Sequence, residues 1–118
     1  MQLGGHIAQQ LKALGLTLRT DNPDGVEGVK VKDSSTSEYP DGSTADYYSD
    51  IRNSRLAGFP GIIVEHAFID RASDASKLAQ DSFRKQLGQA DATGLAQCYG
   101  LGRAADAQAV SLVSVNLM

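Results

Sequence analysis

The sequence predicts an α/β fold, part of a three-layer sandwich in which a mostly parallel sheet is flanked by helices. Three observations lead there. Leu3, Ile7, Leu11, Leu14 and Leu18 recur at helical spacing. Ile62, Ile63 and Val64 form a continuous apolar run, the pattern of a parallel strand covered on both faces. Phe83, Leu87, Ala90, Gly94, Cys98 and Leu101 again follow intervals of three and four. Helix, strand, helix, strand, helix is the order that builds such layers.

The first helix is expected over residues 2 to about 15, with Gln9, Gln10 and Lys12 on its polar face and Gly15 near its end. It starts almost at once, with no strand or cap sequence before it, so a missing N-terminal part is an expectation. From Arg19 to Ser43 the chain turns polar. It carries one short strand candidate at Val29 to Lys32 and turn dipeptides at Asp24-Gly25 and Asp41-Gly42. The loop Asp21 to Tyr39 is a candidate groove lining, since long irregular stretches in compact domains are often functional. Ser43 or Thr44 is placed to cap a helix running to about Leu56, with Ala45, Tyr48, Ile51 and Arg55 on one stripe and Gly58 as its stop. The strand of Gly61 to Phe68 follows. Ser73 or Asp74 then opens a short helix through Leu78, and the last helix ends near Gly100 or Gly102.

Composition narrows the function. The 118 residues fit one domain, and a net charge of −3 without any basic cluster offers no footprint for nucleic acid. No segment approaches the length of a membrane span, and the N-terminus MQLGGHIAQQLK lacks the pattern of a signal peptide. A single cysteine, Cys98, excludes an internal disulfide and a multi-cysteine zinc site; its setting predicts a buried, inert thiol.

Glu65 is the first candidate for chemistry. An ionised carboxylate closing an apolar strand is costly unless it is paired or stands at the lip of a cleft. It is read as a general acid or base, a metal ligand, or a structural carboxylate satisfied by its neighbours. His66 follows on the opposite face of the strand, so the two do not act on one atom; its default is a hydrogen-bonded packing role. His6 lies beside the apolar stripe of the first helix. A catalytic zinc needs three protein ligands, and two histidines without an HxxxH or HExxH pattern do not supply them. Gly58 to Gly61 is no phosphate loop, and neither Ser54 nor Ser73 sits in a GxSxG elbow. Arg52 and Arg55 are candidates to pair with Glu65, or with Asp46 or Asp50 on the helix surface.

The blocks DGSTADYY (Asp41 to Tyr48), IRNSRLAGFPGIIVEHAFID (Ile51 to Asp70) and ASDASKL (Ala72 to Leu78) occur in an order that resembles the zinc-dependent N-acetylmuramoyl-L-alanine amidases of the type 3 amidase family. The likeness runs from about Leu3 to Leu101. Its VEHAFI segment, Val64 to Ile69, is similar to that family's strand-borne catalytic-glutamate motif. The resemblance implies hydrolysis of the amide between N-acetylmuramic acid and the first L-alanine of the stem peptide, with peptidoglycan as partner and an extracellular or cell-wall location. It implies zinc, held by two histidines and a glutamate, as the cofactor of the complete domain, and it places Glu65 in the role of proton shuttle. The family's zinc ligands precede the helix that begins here at Leu3, and His6 falls inside that helix, so no ligand set is carried onto this chain. Cys98 stands where the family leads one to expect an aromatic or aliphatic residue.

These readings combine into one expectation. Residues 1–101 form the C-terminal part of a larger amidase domain, 102–118 a tail or linker, and the chain alone is inactive. Its uncovered strand edge is expected to favour self-association. The alternative is a non-catalytic cell-wall-binding or regulatory module. An unrelated zinc-free hydrolase using Glu65 alone lacks a nucleophile in support.

Overall fold

The computed structural model describes residues 3–21 and 25–102. The tail expected from 102 onward lies outside them except for Gly102, and so does Asp24 of the Asp24-Gly25 turn. Six elements occur among the described residues, in the order α1 (Leu3–Ala13), β1 (Asp33–Glu38), β2 (Thr44–Asp46), α2 (Ser49–Leu56), α3 (Ala72–Leu78) and α4 (Asp81–Tyr99). Helix and strand are mixed, as the sequence predicts.

The apolar stripe of α1 buries Leu3, Ile7 and Leu11 against Phe83, Leu87 and Ala90 of α4, and Leu16 completes the cluster. Leu16 reaches it because α1 ends in a Schellman turn. Gly15 takes φ +87°, its N–H bonds the Lys12 carbonyl at 2.9 Å, and the Leu16 N–H reaches back to Leu11 O at 3.3 Å. The same closure recurs after α2, where Phe59 N–H donates to Ser54 O at 3.1 Å, and after α4, where Leu101 N–H donates to Ala96 O at 2.9 Å. Gly58 and Gly100 are the left-handed residues there.

Helix α4 packs on α1 at a glycine. A Cβ at Gly94 would fall 2.7 Å from the Ile7 Cα, so only a residue without a side chain permits this approach. Cys98 is half-buried at the edge of the core rather than fully buried as expected. It sits one helical turn beyond Gly94, toward the end of α4.

The sheet departs from expectation. Instead of a mostly parallel sheet, the described strands form one two-stranded antiparallel sheet, β1 with β2. Its strand DSSTSE is polar and gives no periodic signal; the hairpin is set by its turn. Tyr39 N–H donates to Ser43 O at 2.8 Å, Gly42 N–H to Tyr39 O at 2.9 Å, and Asp41 Oδ1 accepts from Ser43 N at 2.9 Å. Pro40, Asp41 and Gly42 are the residue types such a turn requires. The strand expected at Val29 to Lys32 is not part of this ladder, although Lys32 O accepts Tyr47 N–H at 2.9 Å just beyond it. Because β2 occupies Thr44 to Asp46, the following helix begins at Ser49 rather than Ser43, and Tyr48 is its N-cap instead of a stripe residue. Residues 61–68 belong to no ladder among the described residues. A parallel strand needs a neighbour with its own apolar faces, and the polar hairpin is the only other sheet these residues make.

The hairpin is tied to α2 by side chains. The Arg55 guanidinium lies 4.2 Å from the Tyr39 ring centroid. The hydroxyl of buried Tyr39 bonds Asp46 Oδ2. Burial, and then the bond to Asp46, push the Tyr39 pKa above its ordinary value of 10.0.

Two predictions follow from these contacts. Replacing Gly94 by Ala gains helix propensity but forces the Ile7 backbone away, with a net cost of about 1–2 kcal/mol in urea unfolding. Gly88→Ala, with open space around it, stabilises by up to about 1 kcal/mol. For Tyr39, a raised folded pKa means its contribution is complete below the unfolded value and is lost as pH rises through the folded one. Tyr39 is therefore expected to ionise above its ordinary value in an ultraviolet absorbance titration, and Asp46→Asn to bring that ionisation earlier.

Candidate functional site

Extended segments on either side of α1's inner face leave a cleft of about 470 Å³. Its lining comes from α1, residues 16–19, residues 28–32 and residues 61–68, together with Asp46, Tyr48 and Ile51. The apolar side chains facing this space are incompletely covered: Ile62 is 40% and Ile63 47% exposed. In volume the cleft has room for about three residues of β-strand with side chains on both faces.

Glu65 stands on this wall and is exposed. His66, the next residue, also belongs to the cleft lining and is half-buried against α4. There His66 Nε2 lies 2.6 Å from Asp91 Oδ2. The other carboxylate oxygen, Asp91 Oδ1, is buried without a hydrogen-bond partner among the described residues. The imidazole thus engages one of the two Asp91 oxygens, which agrees with the hydrogen-bonded packing role expected of this histidine.

Two helical carboxylates hold the segment that no ladder holds. Beside the Asp91 bond to His66, Asp74 Oδ2 accepts the Phe68 backbone N–H at 3.1 Å. Asp74 is 1% exposed and lies in the first turn of α3, where the helix dipole favours a negative charge. At the other end Gly61 rests against α2, where a Cβ would come 2.5 Å from Ser54 Oγ.

Arg19 and Lys30 line the same cleft as Glu65. Arg19 bonds Asp21 through Nε at 2.6 Å, and Lys30 Nζ bonds the same carboxylate at 2.8 Å. These two cations hold the Asp21 carboxyl well below the usual carboxylate range. The Arg19 pKa is raised, first by the hydrogen bond to Asp21 and further by the charges of Glu65 and Tyr48. Arg52 and Arg55 serve the hairpin instead: Arg52 donates to the Asp46 and Tyr47 carbonyls at 2.9 and 2.7 Å, and Arg55 lies 3.9 Å from Asp41.

The residues around Glu65 do not fit a zinc ion. Among the described residues no group of three or more His, Cys, Asp or Glu side chains converges. His66 is engaged with Asp91, and His6 sits half-buried on α1. None of the described helices is long and apolar enough to cross a membrane.

The structure places Glu65, singled out from the sequence, on the cleft wall, whereas Asp91 and the Tyr47-Tyr48 pair carry no signal in the sequence. An acid in the middle of a helical repeat carries no signal of its own; the spacing that places it beneath His66 is tertiary. Comparison with protein-family models, with curated proteins and with solved structures finds no match to this chain.

The carboxylate anchor can be tested. Asp74→Ala leaves the Phe68 N–H without its acceptor and is expected to cost about 1–3 kcal/mol. Hydrogen exchange at Phe68 should accelerate more than at Leu87 in the core.

Proposed function

We propose that this chain is the C-terminal part of a peptidoglycan amidase catalytic domain of the three-layer parallel type, and that Glu65 is its proton-transfer group. The observation that carries this reading is the position of Glu65: an exposed carboxylate on the wall of a cleft, at the end of an apolar extended segment that has no ladder partner among the described residues. A segment of that composition is suited to a place inside a parallel sheet, and the motif similarity at Val64 to Ile69 points the same way. Zinc is the cofactor of the complete domain, but the residues here do not fit it. We therefore assign the chain no metal-dependent step and expect it to be inactive alone. Its substrate class is peptidoglycan, at the amide joining muramic acid to the stem peptide, in the cell wall or outside the cell.

What Glu65 contributes is local. A carboxylate within hydrogen-bond reach of a water takes its proton during attack on a carbonyl and returns it to the leaving amine. A second reading, a wall-binding module without catalysis, is supported by the exposed rings of Tyr47 and Tyr48, side chains suited to contact a ligand without chemistry.

The experiment is direct. Purified chain with added zinc should release no stem peptide from isolated peptidoglycan, and robust turnover would sink the claim of inactivity. Added polypeptide carrying the zinc-ligand portion of such a domain should restore cleavage. Glu65→Gln should then lower the rate by about 10²-fold or more, while sedimentation with peptidoglycan is unchanged. Binding without any cleavage in the mixture favours the module.

A further inference from the structure

The two extended segments that line the cleft hold backbone groups without a partner. Among the described residues the N–H and C=O groups of residues 62–67 make no backbone hydrogen bond, and those of Lys30 and Val31 make none either. Unpaired backbone along an apolar run is a template for a further strand. The lining sets what kind of strand fits. Ile7 and Leu11 of α1 contribute apolar surface to it, while Arg19, Lys30 and Glu65 contribute charge. A lining of both kinds suits a strand with one apolar and one polar face.

The chain carries that pattern after α4, beyond the described residues. In Val113-Ser114-Val115-Asn116-Leu117 apolar and polar residues alternate, which puts Val113, Val115 and Leu117 on one face of a strand and Ser114 and Asn116 on the other. The reach is sufficient. Gln97, near the end of α4, accepts a hydrogen bond from Gln10 of α1 at 3.1 Å. Helix α1 itself is about 16 Å long, and the ten residues 103–112 span up to about 33 Å when extended. A second copy pairing through its own Ile62 to Val64 fits less well, since that run is apolar on both faces. We propose that residues 113–117 occupy the cleft as a strand, with about three of them hydrogen-bonded along residues 62–64. A tail held there closes the edge to other chains, so any polypeptide that pairs with 62–64 must first displace it. The inference rests on the cleft and the tail, not on the function proposed above.

Amide hydrogen exchange of the full chain, followed by NMR, tests this. In a ladder alternate amides point to the neighbouring strand, so those of residues 62 and 64, or that of 63, should exchange at least about tenfold more slowly than in an open segment. Nuclear Overhauser contacts should join the same residues to 113–117. The double variant Val113→Asp with Val115→Asp charges the apolar face and should abolish the protection. Ser114→Asp with Asn116→Asp adds the same charge to the polar face and should leave the protection in place. Exchange at Leu87 in the core, unchanged in both variants, shows that the fold is kept. Fast exchange throughout 62–64 in the full chain overturns the proposal, and so does protection that survives the Val113 and Val115 substitutions. Protection that grows with protein concentration, alongside a dimer in sedimentation, assigns the edge to a second copy and overturns it too. Failure of the amidase reading leaves the result untouched, because no peptidoglycan enters the experiment. Loss of the tail strand likewise leaves the complemented cleavage assay to be decided by its own outcome.

Discussion

The contact on which the rest of the structure depends is the approach of α4 to α1 at Gly94 and Ile7. It joins residues 87 positions apart in a chain of 118, and every other element hangs from the loop between them. The distance that a Cβ at Gly94 would have from the Ile7 backbone, 2.7 Å, shows how little room the packing leaves. That proximity lets Leu3, Ile7 and Leu11 bury against Phe83, Leu87 and Ala90 as one layer. A helix pair held further apart would open that layer to water, and a domain this small has no second core to compensate.

From this helical layer the segment 61–68 is suspended by carboxylates rather than by a sheet. Asp91 engages the His66 ring, and Asp74 takes the Phe68 N–H. Both acids are on helices of the layer, so the segment inherits its position from α3 and α4. These are point attachments: they fix one side chain and one backbone group, whereas a ladder would engage alternate residues along the whole strand. Ile62 and Ile63 keep much of their surface in water, and no described strand pairs with them. The departure from a parallel sandwich and the openness of the cleft have this one cause.

What could be read from the sequence follows the range of the interactions involved. Gly15, Gly58 and Gly100 mark helix ends because a Schellman closure needs only the helix's own last turn and one left-handed residue. The stripes of α1 and α4 are legible for the same reason, being periodic. The hairpin is half legible: Asp41-Gly42 announces its turn, while DSSTSE lacks the apolar alternation that marks a strand. Its register depends on Tyr39, Asp46 and Arg55 meeting across it. Glu65 is visible because its carboxylate is out of place after Ile62, Ile63 and Val64. Asp91 and the Tyr47-Tyr48 corner are not, since each acquires meaning only from a residue brought to it by folding.

The setting of Glu65 has a consequence for how such a carboxylate could work. Proton transfer at neutral pH calls for a group tuned by burial or by a fixed charge, and an exposed carboxylate in an open cleft has water on most sides. Arg19 supplies a charge, but Asp21 and Lys30 share its neighbourhood and their fields partly cancel. Among the described residues no strand pairs with 61–68, so the wall that carries Glu65 stays open along Ile62 and Ile63. A strand laid along it would exclude water from the cleft and lower the dielectric around Arg19 and Glu65 alike, so covering the apolar segment and strengthening the electrostatics of the cleft would be one event.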